Sequence, residues 1–201
     1  MHIAEGVLSA PVLATGAVLT AGATVFALRR MDYEQLPGVA VLSSVFFVAA
    51  LIHVPVGPVA AHLVLNGLCG LLLGWLAFPA ILVGLTLQAI LFNFGGLTTL
   101  GLNAFNMAFP AVVVGYVCGW GLGSANPAVR TVAEFSAGAG AVLLSGILVA
   151  CSLVVTGESF QTAAWLVVAA HVPVMVVEGI VTVFIVEFVR RVRPEMLQGY
   201  A

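Results

Sequence analysis

AAWLVVAAHVPVMVVEGIVTVFIVEFVRR, residues 163–191, is the stretch that decides the fold. From Ala163 to Val189 its only strongly polar side chains are His171, Glu178, Thr182 and Glu187, and two arginines close it. About 20 predominantly apolar residues in a helix span a hydrocarbon core of roughly 30 Å, so this run is long enough to cross a membrane. The rest of the chain repeats the pattern. Its 201 residues are 62% hydrophobic and 7% charged, with a mean hydropathy of +1.21, where a soluble domain carries about 25% charged residues. The composition predicts an all-α integral membrane protein, a single transmembrane domain over residues 1–201, with no length left for a separate soluble catalytic domain. The formal net charge of −2 is spread thinly, which argues against a nucleic-acid partner. Cys69, Cys118 and Cys151 each sit in an apolar run without short spacing, so they read as apolar filler rather than a disulfide or zinc framework. No positive segment precedes the first apolar stretch, so Met1 is expected to begin the mature chain.

Working outward from residues 163–191, apolar runs set against turn residues give about seven spans. They are Val7–Leu28, Gly38–Pro55, Ala61–Ala77, Phe78–Phe94, Asn103–Gly121, Thr131–Val155 and Ala163–Val189. The third and fourth are short and share a boundary at Phe78-Pro79, where a merged or re-entrant segment is the alternative. Cytoplasmic loops collect Lys and Arg, and the basic residues here are all arginine. With seven crossings Arg29, Arg30, Arg130, Arg190, Arg191 and Arg193 fall on one side. A multi-pass protein of the cell inner (plasma) membrane is expected, N-terminus outside and C-terminus cytoplasmic. His2, His53, His62 and His171 then fall in the outer half, as does NFGGLTTLGLN, residues 93–103, a Gly- and Thr-rich segment able to pack over a site there.

The first two residues carry specific chemistry. A free Met1 amine, the His2 backbone amide nitrogen and the His2 imidazole close fused five- and six-membered chelate rings in one plane, leaving one equatorial position for another imidazole. Planar nitrogen sites favour Ni(II) or Cu(II), whereas zinc prefers a tetrahedron of separate side chains. A histidine at residue 2 is commonly just part of a frayed terminus, but the apolar run begins so soon that Met1 stays near the membrane boundary. His62, in PVAAHLVLNGL, can supply the fourth nitrogen; polar groups at membrane depth are costly and usually face a cavity or a partner. His53, beside two prolines, reads as interfacial. His171 and Glu178 lie two turns apart on one helix face, and Glu178 reads either as a structural hydrogen-bonding group between helices or as a support to the metal ligands.

Four stretches, MHIAEG (1–6), VPVGPVAAHLVLNGLCGLLLGW (54–75), LQAILFNFGGLTTLGLNAFNMAFPAVVVGY (87–116) and HVPVMVVEGIVT (171–182), resemble in matching order the nickel/cobalt substrate-binding membrane subunits of energy-coupling-factor transporters, the NikM/CbiM family. The resemblance implies a substrate-capture subunit, or S component, with an N-terminal helix added to a six-helix core. It implies one Ni²⁺ or Co²⁺ as transported substrate, held in a planar four-nitrogen site by Met1, His2 and His62. It also implies partners: a membrane coupling (T) subunit, cytoplasmic ATPase subunits and in some members a small accessory membrane subunit. This chain has no G-x-x-x-x-G-K-[ST] motif for a P-loop. Where the cobalt-associated branch carries a Ser-Cys-Ser-His type of segment, this chain has Val59-Ala60-Ala61-His62, which leans towards nickel. Small residues at four-residue spacing, Ala40 with Ser44, Ser136 with Gly140 and Ala137 with Ala141, are candidates for docking the coupling subunit or for packing within the chain. The competing class, an intramembrane metal-dependent protease, would call for H-E-x-x-H on one helix, which is absent. A purely structural subunit is the third class.

Overall fold

The computed structural model describes residues 2–56 and 59–200, with the side chains of 53–61 and 198–200 left aside. Its helices are α1 (Ala10–Leu28), α2 (Leu36–Ala49), α3 (Asn66–Leu73), α4 (Ala77–Phe92), α5 (Leu100–Leu122), α6 (Pro127–Thr156) and α7 (Gln161–Val192), with strands β1 (His53–Val56) and β2 (Val59–His62) between α2 and α3. Five helical segments among the described residues are long and apolar enough to cross a membrane: Ala10–Leu28, Asn66–Phe92, Leu100–Leu122, Pro127–Thr156 and Glu158–Val192; Tyr33–Ala49 is a shorter apolar one. The all-α membrane class holds.

Two span boundaries differ from the sequence reading. The expected second span, Gly38–Pro55, is helical only to Ala49, and the expected third, Ala61–Ala77, becomes helical only at Asn66. Between them the chain forms an antiparallel ribbon in which His53 pairs with His62 and Val56 with Val59. The cause is local: Pro55 removes an amide donor and pushes Val54 towards extended backbone, while the interleaved valines favour strands. His62 therefore sits on a strand leading into the third helix, not on a membrane-spanning helix.

The run Asn66–Phe92 is 27 residues long, which as a straight helix would be about 40 Å. Yet His62, just before it, and Gln88, near its end, both reach the His2 ring. The run must double back. It does so at Gly74, whose φ of +54° suits a residue without a Cβ, and the turn Gly74–Leu76 joins α3 to α4. α3, at eight residues, is about 12 Å long and is only part of a crossing.

Small residues let α3 sit deep in the bundle. A Cβ on Gly70 would collide with the Ala111 carbonyl of α5, and one on Gly67 with the Ala137 carbonyl of α6. Ala137 and Ala141 are fully buried, so this pair packs within the chain, while Ala40, Ser44 and Ser136 face outward. The buried Asn66 is satisfied: its amide donates to the Met107 carbonyl and to Ser145 Oγ, each at 2.9 Å.

Helix directions follow from the pairings. Residues 39, 43 and 46 of α2 meet 80, 84 and 88 of α4 in step, so these two are parallel; Asn66 and Gly70 meet Met107 and Ala111 likewise, so α3 parallels α5. The ends of α1, α3, α5 and α7 thus share one face of the molecule. Arg30 stacks on Phe26, which edges Trp75 of the α3–α4 turn. Arg130 and Arg190 donate to the Ser124 and Leu122 carbonyls at the end of α5. The arginines gather at this end, and the described histidine side chains lie towards the other.

Candidate metal centre

The N-terminal segment does not trail away from the bundle. Asn103, in the first turn of α5, clasps Ile3 on both sides: its Oδ1 accepts from the Ile3 amide and its Nδ2 donates to the Ile3 carbonyl, both at 3.1 Å. Thr99 Oγ1 in turn receives a bond from Asn103 at 3.2 Å. Two residues further on, Glu5 Oε1 accepts from the Thr98 amide and hydroxyl at 2.9 and 3.0 Å. These bonds hold the Glu5 carboxyl below the usual carboxylate range. Ile3 is thereby tied to the start of α5 and Glu5 to the 94–99 loop, and Gly95 and Gly96 (φ +78° and +138°) let that loop close around the amino-terminal segment.

So anchored, His2 points inward. Its ring centroid lies 5.1 Å from that of His62 and 5.9 Å from that of Phe94, and its Nε2–H donates to Gln88 Oε1 at 2.8 Å. That bond fixes the tautomer, leaving the lone pair on Nδ1. Nδ1 is the nitrogen that closes a six-membered ring with the residue's own amide, so Gln88 selects the tautomer that a Met-His chelate needs. On His62, Nδ1–H donates to the Leu63 carbonyl at 2.9 Å, which puts the lone pair on Nε2. Both imidazoles thus have a proton committed to a neighbour and a nitrogen suited to a metal, an arrangement general to histidine ligands. Burial first, then the chain's own amino terminus and His62, push the His2 imidazole down to about 3. It is neutral at any ordinary pH.

The strand carrying His62 is held from the far side of the bundle. Leu65 caps α3 in the left-handed region at φ 55°, and Glu178 of α7, fully buried, accepts from the backbone amides of Val64 and Leu65, the latter at 2.9 Å through Oε2. Glu178 does not bridge two helices through side chains; it grips the strand-to-helix junction two residues after His62.

His2 and His62 are therefore brought together. Met1 lies outside the described residues, as does the side chain of His53, whose backbone pairs with His62. His171 lines a cavity with His2. Gln88, Asn103 and the Glu5–Thr98 pair escaped the sequence reading. The signal for the first two was present, amide side chains in otherwise apolar runs, but their partners are 86 and 100 residues away.

Residues 2–196 match the protein family described as "Cobalt uptake substrate-specific transmembrane region", CbiM. The chain is 40% identical to a "Putative metal transport protein" of Haemophilus influenzae over 98% of its own length and 97% of that protein. It is 30% identical to the "Fused nickel transport protein NikMN" of Rhodobacter capsulatus over 98% of its length and 64% of the longer protein. Among solved structures, a "Truncated Transition metal Transporter" superposes with a TM-score of 0.74 at 25% identity, covering 95% of this chain and 99% of that one. The chain belongs to the CbiM family of transmembrane metal-uptake proteins.

Proposed function

We propose that this protein is the substrate-capture subunit of an ATP-driven energy-coupling-factor importer for Ni²⁺ or Co²⁺. The ion is bound by the Met1 amine, the His2 amide and imidazole Nδ1, and the His62 imidazole Nε2. The observation that carries this reading is the His2–His62 pair, rings 5.1 Å apart, with His2 Nε2 bonded to Gln88 and His62 Nδ1 bonded to Leu63. On binding, the ammonium and the amide each lose a proton, and with both imidazoles neutral in the complex the bound unit carries a single positive charge.

Nickel is favoured over cobalt. A strong planar nitrogen set suits Ni(II), residues 59–61 are Val-Ala-Ala, and the Rhodobacter relative is named for nickel. The amino terminus faces outside and the arginine end faces the cytoplasm, in keeping with the bias of basic residues towards that side. A membrane coupling subunit and cytoplasmic ATPases, in some systems with a small accessory membrane subunit, drive release. Ala40 and Ser44 on α2 and Ser136 on α6, which face outward, suit close contact with such a partner.

The test is equilibrium dialysis of the purified full-length protein with an unmodified amino terminus against Ni²⁺ and Co²⁺. One ion per chain is expected, with a preference for Ni²⁺ and loss of binding in His2→Ala and His62→Ala. Retention of the ion by both variants would overturn the site.

A further inference from the structure

We infer that His171 is a transient ligand on the ion's way in, a waypoint that takes the ion before the amino-terminal nitrogens close around it; this rests on the capture reading above. A cavity of about 320 Å³ is lined by His2, Ile3, Val149, Leu153, Val167 and His171. The two imidazoles are its only polar side chains, and they belong to opposite ends of the chain. Leu153 lies one turn, and Val149 two turns, below Thr156 at the end of α6, whose hydroxyl meets the Ser9 amide at the amino-terminal rim. The cavity therefore lies between that rim and His2.

An aqua ion entering an apolar passage gives up water with nothing to replace it, which is costly. His171 removes that difficulty. Its Nδ1–H donates to the Val167 carbonyl one turn earlier, at 2.6 Å, so Nε2 carries the lone pair and the ring is pinned in place. A nitrogen donor stands on one wall and His2 on another. Two imidazoles are too few to hold the ion permanently: among the described residues no group of three or more His, Cys, Asp or Glu side chains is placed to bind a metal. A site of this kind stabilises an intermediate on the path rather than the final complex. It lowers the barrier in both directions and leaves the equilibrium unchanged.

The experiment is stopped-flow mixing of Ni²⁺ with the purified full-length protein, read by the absorbance of the planar amide–nickel chromophore, together with equilibrium dialysis on the same samples. His171→Ala, which widens the passage, is expected to bind at least tenfold more slowly and to release more slowly by the same factor, with affinity within twofold of the parent and the same final spectrum. His171→Phe, which keeps the ring volume without the nitrogen, is expected to be at least as slow. An unchanged association rate in both variants would overturn the waypoint, as would a lost affinity or an altered spectrum, which would make His171 a structural group or a ligand of the final site. If the parent protein itself holds no Ni²⁺, the capture reading fails and the waypoint falls with it, a result distinct from normal binding with an unaltered rate.

Discussion

Gln88 shows how much of the proposed chemistry rests on a residue that touches no ion. Its Oε1 takes the His2 Nε2 proton while its amide nitrogen reaches the Phe46 carbonyl at 3.4 Å. The acceptor is therefore pointed at His2 by α2. Removing such a support costs typically 10- to 100-fold in metal affinity. Gln88→Leu, which fills similar space without the acceptor, is expected to weaken Ni²⁺ binding by about that factor in dialysis while the unfolding temperature of the metal-free protein moves little; unchanged affinity would show that the tautomer is set elsewhere. Glu5 offers a second check. Its folded pKa is depressed by the Thr98 bonds, so what it contributes to holding the 94–99 loop is fully present above its ordinary value near 4.5 and is lost as pH falls through the lowered one. NMR titration of the carboxyl should give a midpoint below 4.5, and in Thr98→Val, which lacks the hydroxyl, the midpoint should rise towards it.

At the level of elements, the decisive one is the ribbon between α2 and α3. The length of the apolar runs located the long helices because lipid-facing and core-facing side chains are alike apolar, but the same likeness hid where a helix stops. Residues 50–65 are as apolar as a span, and only Pro55 and Pro58 mark the break. The doubling-back of α3 and α4 was legible as a short shared boundary and no more, since a lone glycine such as Gly74 does not announce its φ. Candidate ligands were easier to read than their supports, because the proposed chelate would be built from adjacent residues, whereas Glu178 meets Leu65 across 113 positions. Glu178→Ala would leave two backbone amides buried without acceptors, at about 1–3 kcal/mol each. We expect faster hydrogen exchange at Val64 and Leu65 and weaker Ni²⁺ binding, with Glu178→Gln, which keeps one acceptor, intermediate. Protection equal to the parent in both variants would show that the junction is held by α3 packing alone.

On the scale of the whole molecule, the bundle separates two chemistries. Imidazoles meet at the end where the chain starts, and arginines gather at the other, where Arg190 pairs with the buried Glu134 at 2.8 Å and with Glu187 at 3.4 Å. The proposed orientation turns this into an accessibility pattern. Single cysteines placed at Tyr33 and at Leu97, both highly exposed, in a background lacking Cys69, Cys118 and Cys151, should label oppositely in intact cells. The cysteine at 97 should react with an impermeant maleimide and the one at 33 only after permeabilisation; the reverse pattern would invert the capture side.

All of this turns on an unmodified amino terminus joining two imidazoles around one ion. The most direct test compares the purified protein beginning with a free Met1 against the same protein with its amine acetylated, each assayed for bound Ni²⁺ by equilibrium dialysis, with identical thermal unfolding in the absence of metal as the control. One ion per chain in the first and none in the second is the predicted result; equal retention by both would contradict it.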